Sequence, residues 1–348
     1  MALKPAGSHT AITFSLCMIV KDEEKVLARC LDSIRDLMDE IIIVDTGSKD
    51  ETKKIAARYT DKIFDFRWTG NFSEARNFSF SKACGDYIYT ADADEVLDEE
   101  NREKLRMLKE SLLPEVEIVQ MYYGNQLSYG SVYNFDRELR PKLFKRVRSF
   151  EWIEPVHETV RLLPVVFDSD IEITHLPEGS HTARDLQIFA KMTEHGETLS
   201  ARLLNMYARE LLISGSREEL QRAEDYFTEI ADGEETEPEQ MKEAFCVVVR
   251  AARERGDYLK MYRYAMKDVA SDGVSEVCFE LGEYYLGQKE YAEAALWFYN
   301  AAYETQCVLN IHCGGDWPLE RLARCYDAMG NEEQAEMYRQ AAREWTAQ

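Results

Sequence analysis

Basic charge is scarce in this chain: 42 Lys and Arg stand against 65 Asp and Glu, a formal net charge of −23 over 348 residues. Such a surface repels a nucleic-acid backbone and an anionic membrane, which excludes both as the main partner. No apolar run approaches the length that spans a bilayer, and no basic-then-apolar leader opens the chain, so a cytoplasmic location is expected. None of the eight cysteines forms a Cys-x-x-Cys pair, and several fall inside helical or strand patterns. There a reduced thiol behaves as a small apolar residue. Gly-x-Gly-x-x-Gly and Gly-x-x-x-x-Gly-Lys are both missing, which removes the main support for dinucleotide and P-loop sites. Strand signals, finally, are lacking from about Thr182 onward.

What is present divides accordingly. A chain of this length with 45% hydrophobic residues suits two domains with real cores. Residues 1–11 read as an unstructured lead-in, and Gly7-Ser8-His9 as an added remnant. Thr13–Val20 is an apolar run suited to a buried parallel strand. Val26–Leu37 then carries apolar residues at helical spacing. Glu40–Val44 is a second strand, closed by Asp45-Thr46-Gly47-Ser48-Lys49-Asp50, which also caps a helix over Glu51–Tyr59. A third strand over Asp61–Phe66 and a helix over Phe72–Cys84 follow. The alternation implies right-handed crossovers and a mostly parallel, Rossmann-like α/β sheet over residues 12–182.

The stretch around which that half is organised is Tyr87-Ile88-Tyr89-Thr90-Ala91-Asp92-Ala93-Asp94-Glu95. A short strand ends abruptly in three acids, at the carboxyl edge where open α/β sheets bind ligands. Carboxylates so close repel one another unless a cation sits among them, and their oxygens suit Mg²⁺ or Mn²⁺ shared with a phosphate-bearing substrate. A solvated acidic turn is the alternative. Asp45, at another strand end, can take hydrogen bonds from a base or ribose, or can simply cap a helix. Arg76, beside Asn77, can neutralise diphosphate or lie solvated on its helix.

Four motifs in order carry a resemblance: Ser15 to Glu24, Val44 to Thr52, Asn71 to Asn77, and Gly85-Asp86-Tyr87 through Asp92-Ala93-Asp94-Glu95. Together they resemble a family 2 glycosyltransferase of the GT-A fold, although members often carry Asn where Asp22 stands. The resemblance implies a nucleotide-diphosphate sugar donor, a UDP sugar foremost, held around Val20, Glu23, Asp45, Gly47, Arg76, Asp92 and Ala93. It places Asp94 on the metal and Asp92 near the ribose or metal. Transfer of a hexose with inversion is the family's usual outcome.

Further on come Arg140-Pro141-Lys142-Leu143-Phe144-Lys145-Arg146, Val156-His157-Glu158 and Ile171-Glu172-Ile173-Thr174-His175. This order is similar to the family's tetratricopeptide-fused branch, which includes enzymes that glycosylate glycocin peptides on cysteine. An imidazole–carboxylate pair is a general-base candidate, Glu158 first and His157 next, or else an ordered loop. His175 supplies an imidazole to the metal or is structural, with His181 a weaker competitor.

Residues 183–348 form an all-α, tetratricopeptide-like repeat domain by pattern. Cys278 to Tyr285 with Ala294, Phe298 and Ala301 shows the large and small alternation, and Leu322-Ala323, Tyr326, Ala335 and Ala342 repeat it. Weaker copies run through Tyr207-Ala208, Ala223 and Phe227, and through Ala251-Ala252, Met261 and Ala265. Asn310–Pro318 reads as an inserted loop. Stacking stabilises such arrays, and their concave faces bind peptides or serve as dimer contacts, so a homodimer stays open. The expected function is metal-dependent sugar transfer to a peptide or protein side chain. Extension of a cell-surface glycan or lipid-linked sugar, and a non-catalytic repeat scaffold, are the alternatives.

Overall fold

The computed structural model describes residues 11–124, 137–147, 152–153, 159–160, 163–176 and 182–346. These fall into two compact units, one up to residue 176 and one from 182 onward.

The first unit is built on β1 (Phe14–Val20), buried along almost its whole length as a central parallel strand must be. It lies between β2 (Glu40–Asp45) and β4 (Tyr87–Thr90), both parallel to it, and β3 (Ile63–Asp65) extends the sheet beyond β2. Beyond β4 the sheet becomes mixed. β7 (Glu138–Lys145) runs antiparallel between β4 and β6 (Ile118–Gly124), and β10 (Val166–His175) lies parallel to β6. A two-residue strand, β5 (Glu95–Val96), closes the order β3-β2-β1-β4-β7-β6-β10-β5. A separate two-stranded ribbon joins β8 (Trp152–Ile153) to β9 (Thr159–Val160).

Strand alternation feeds a core on each face of this sheet. Phe14, Leu16, Met18 and Val20 of β1 meet Leu27, Cys30, Leu31 and Ile34 of α1 (Leu27–Ile34), together with Leu105 of α4 (Glu99–Ser111). On the opposite face Cys17, Ile42, Val44 and Ile88 pack with Phe78 and Phe80 of α3 (Phe72–Phe80). The helix expected over Glu51–Tyr59 is shorter, α2 (Thr52–Ala56), and α3 stops at Phe80 rather than Cys84. The carboxyl ends of β1, β2, β3, β4, β6 and β10 share one rim. Asp45, the acidic stretch after β4, and His175 all stand on it.

The regular elements of the second unit are all helices among its described residues, with one isolated bridge between Val274 and Gln306. After α5 (Thr182–Glu194) come eight helices in four successive pairs along the chain: α6 (Ala201–Ser214) then α7 (Arg217–Asp232), α8 (Pro238–Arg255) then α9 (Tyr258–Val269), α10 (Ser275–Gly287) then α11 (Tyr291–Tyr299), and α12 (Asp316–Ala328) then α13 (Glu332–Glu344). Helix starts at 201, 238 and 275 keep a steady register, and the next waits until 316. The extra chain forms a π-helical turn over Asn300–Glu304 and a 3₁₀ turn over Ile311–Gly314. The insertion ends sooner than Pro318. That proline sits in the first turn of α12, where its missing N–H costs no helical bond. Within the third pair Gly282 faces Phe298 so closely that a Cβ would lie 2.6 Å from the ring, which accounts for the small residue of the repeat pattern.

Candidate functional site at the carboxyl rim of the sheet

Asp45 ends β2 and is buried. Its Oδ1 accepts from the backbone N–H of Gly47 at 2.9 Å and of Ser48 at 3.0 Å, an Asx-type turn that lets Gly47 take a φ of +109°. Its Oδ2 is enclosed with no partner among the described residues. One oxygen thus shapes the turn after β2 and caps no helix, α2 starting only after Glu51, and the other is unspent.

The acidic stretch is held by its backbone. Asp92 O accepts from Glu95 N at 3.2 Å, and the Cys30 thiol lies 3.4 Å from the same carbonyl. Asp94 O accepts from Leu176 N at 3.0 Å, while Arg29 of α1 holds the Leu176 carbonyl at 2.6 Å. Because β5 pairs antiparallel with the end of β10, His175 is set opposite Glu95. Its Nε2 then lies 3.0 Å from Asp94 Oδ2. His175 also packs on Tyr123 of β6, ring centroids 5.3 Å apart.

Three cations offset the acids. Arg76 of α3 approaches Asp92 at 3.6 Å. Lys142 of β7 contacts Glu95 at 2.5 Å, with both side chains buried. Arg140, two residues before Lys142, stacks its guanidinium 3.9 Å over Tyr123, a ring that the Lys142 ammonium also approaches at 5.2 Å. Desolvation alone would raise the Asp92 carboxyl, but Lys142, Arg76, Arg140 and His175 together hold it below its ordinary value. Burial pushes Glu95 the other way, with Lys142 opposing and Asp92 adding to the rise.

The structure thus brings Asp94 and His175 together and turns Asp92 toward Arg76. Among the described residues no group of three or more His, Cys, Asp or Glu is gathered closely enough to hold an ion. Val20, Gly47 and Ala93 lie at the same rim, and Glu23 begins the turn into α1, where its backbone N–H donates to Thr52 Oγ1 at 2.7 Å. His157, Glu158 and His181 lie outside the described residues. Sequence reasoning left Lys142, Arg140 and Tyr123 without a role. The available signal was Arg-x-Lys inside a strand with a Leu-Phe core, since two cations within a central strand require buried acids nearby.

Residues 15–160 match the model of glycosyl transferase family 2. The first unit carries a family 2 glycosyltransferase domain. A TPR repeat-containing protein of Synechococcus elongatus is 38% identical over 146 residues, 42% of this chain and 35% of its own length. An uncharacterized glycosyltransferase of Rickettsia typhi is 31% identical over 120 residues, 33% of this chain and 41% of that one. The SPbeta prophage-derived glycosyltransferase SunS of Bacillus subtilis is 35% identical over 95 residues, 27% of this chain and 22% of that one. The chain thus spans between 22% and 41% of these relatives' lengths. Glucosyl-3-phosphoglycerate synthase of Mycobacterium tuberculosis, solved with Mn²⁺ and UDP-glucose, shares 15% identity at a TM-score of 0.38. That likeness covers 54% of this chain and 81% of the enzyme, and is too low for a donor or metal to be carried across. The chain also carries the tetratricopeptide-like array. No helix among the described residues is long and apolar enough to cross a membrane.

Proposed function

We propose that the chain transfers a sugar from a nucleotide-diphosphate sugar to a side chain of a peptide or protein, with the help of a divalent cation. The observation that carries the reading is the convergence of Asp45, Asp92, Asp94, Arg76 and His175 on one rim of a family 2 glycosyltransferase domain. Two carboxylates and an imidazole are the right donors for Mn²⁺ or Mg²⁺. Asp94 and His175 would hold the ion. Asp92 would join them, since among the described residues its half-exposed side chain is tied loosely to Arg76 at 3.6 Å. When bound, the cation supplies Lewis-acid stabilisation of the departing diphosphate.

The chain's own residues do the rest. The enclosed Oδ2 of Asp45 is the acceptor we assign to the donor's base or ribose. Arg76, released from Asp92, would meet the charge that develops on the diphosphate. Glu158, with His157 as runner-up, would take the proton from the acceptor hydroxyl or thiol. The acceptor atom then bonds to the anomeric carbon as the bond to the diphosphate oxygen breaks, and the electron pair leaves with the diphosphate. One such displacement inverts the anomeric centre.

A peptide acceptor is favoured over a lipid-linked one by the repeat array in the same chain, because stacked helix pairs offer a long surface for an extended segment. The reading is tested by a thermal-shift panel of UDP, GDP and dTDP sugars with and without Mn²⁺. A ligand bound only by the folded state raises the melting point, and a panel that shifts nothing in any condition overturns it.

A further inference from the structure

Both ends of the acidic loop are fastened to one residue that the mechanism above does not use. Thr90, the last residue of β4, donates its hydroxyl to the Lys142 carbonyl at 3.4 Å. Glu95, the first residue of β5, receives the Lys142 ammonium at 2.5 Å. Ala91 to Asp94 lie between these two points; the Thr90 tie is to the main chain at position 142, which any residue supplies, and the Glu95 tie is made by the lysine side chain. Its side chain is 7% exposed and that of Glu95 is 3%.

Stability gives no reason for this arrangement. A buried ion pair is commonly replaced by apolar residues of the same volume at no loss, because the desolvation of both charges offsets their attraction. Lys142 lies on a central strand, where a Leu or Met would fill the space without that cost. The other ties of the loop are backbone bonds from Cys30, Glu95 and Leu176 and the side-chain contacts of His175 with Asp94 and of Arg76 with Asp92, and none of these holds the Glu95 end by its side chain. Position within the loop is therefore what the lysine provides.

We propose that Lys142 is a positioning residue, whose ammonium on Glu95 fixes the loop so that the Asp92 and Asp94 carboxylates meet a divalent cation at the rim. The inference rests on the metal-dependent reading above. It carries a sign that separates it from simple electrostatics. An ammonium near the site repels a cation, so its removal would tighten metal binding if charge alone mattered. Loss of a positioning contact weakens binding instead, as outer-shell substitutions do at other metal sites.

The test is a titration of Mn²⁺ into the full chain, read by the loss of the free-ion electron paramagnetic resonance signal, with melting temperature recorded in parallel. Lys142→Met is expected to bind about 10- to 100-fold more weakly than the parent. Lys142→Arg, which keeps a cation able to reach Glu95, should recover most of that loss. The double variant Lys142→Met, Glu95→Leu removes both buried charges, so it melts near the parent and keeps the test valid if the single variant fails to fold. Its Mn²⁺ binding should stay weak. Parental or tighter binding by Lys142→Met, or full recovery in the double variant, overturns the positioning role alone. A parent that leaves the free-ion signal untouched overturns the metal-dependent reading and this inference with it.

Discussion

Replacing Asp268 by Asn should stabilise the helical unit at neutral and alkaline pH and leave it unchanged in acid. Asp268 lies near the end of α9 with no exposed surface. Its Oδ2 accepts from Val274 N at 3.0 Å, and its Oδ1 has no partner among the described residues. Burial pushes the carboxyl up from 3.8 to about 6. The Val274 N–H and Lys242 oppose the rise, and Glu276 and Asp272 add to it. The folded chain therefore keeps this proton to about pH 6, whereas the unfolded chain releases it near 3.8. Between those values the folded state binds more protons, so stability falls as pH rises, and above about 6 the penalty is complete. A rise of that size corresponds to at most about 3 kcal/mol, and to about 1–3 kcal/mol once relaxation is allowed. Asn retains an oxygen for the Val274 N–H and removes the charge. Urea denaturation followed by far-ultraviolet circular dichroism should show the variant more stable than the parent by that amount near pH 8. The difference should shrink through pH 6 and vanish near pH 4. A difference that is flat across this range, or a variant less stable at pH 8, would refute the reasoning.

Other substitutions probe neighbouring steps. Gly282→Ala sets a methyl 2.6 Å from the buried Phe298 ring, so overpacking of about 1–3 kcal/mol should outweigh the helix-propensity gain of about 1 kcal/mol; a raised melting point would contradict it. The Glu276 carboxylate receives the backbone N–H groups of Val308, Leu309 and Asn310. Glu276→Ala strands those donors and should cost at least about 3 kcal/mol in a denaturant titration, while a cost near zero would show that water replaces the carboxylate. Arg76→Ala should raise the donor KM or lower kcat by about tenfold without lowering the melting point, because its tie to the acids among the described residues is the loose 3.6 Å contact with Asp92. Glu158→Gln should slow transfer to a hydroxyl acceptor by roughly two to four orders of magnitude, and less for a thiol, which already supplies thiolate near neutrality; parental rates across pH would assign that segment a structural role.

The strands and helices of the first unit were readable because burial there follows simple periods. The apolar run of β1 and the helical spacing from Leu27 to Ile34 each point to one element. Asp45, Asp92, Asp94 and Arg76 stand out because strand ends of a parallel sheet meet at one rim. The antiparallel insertion of β7 between β4 and β6 was not legible, since pairing partners distant in sequence leave no local period. That insertion is what carries Lys142 and Arg140 beneath the acids. His175 could be named as a candidate, but its meeting with Asp94 depends on a two-residue pairing of β5 with β10, too short to leave a sequence signal. In the helical unit the alternation of large and small residues, Gly282 against Phe298 above all, gave the repeat. The boundary of the insertion was misplaced because Pro318 punctuates a helix start as readily as a loop.

The most direct measurement is donor turnover by the parent and by Asp94→Ala, with Mn²⁺ and with excess chelator, using the sugar nucleotide that gives the largest thermal shift. Asp94 holds His175 at 3.0 Å and closes the acidic pair, so the account predicts release of nucleoside diphosphate by the parent only with Mn²⁺. Asp94→Ala should show none, at a melting temperature no lower than the parent's by more than a few degrees. Equal turnover by the two proteins, or turnover by the parent that chelator leaves untouched, would contradict it.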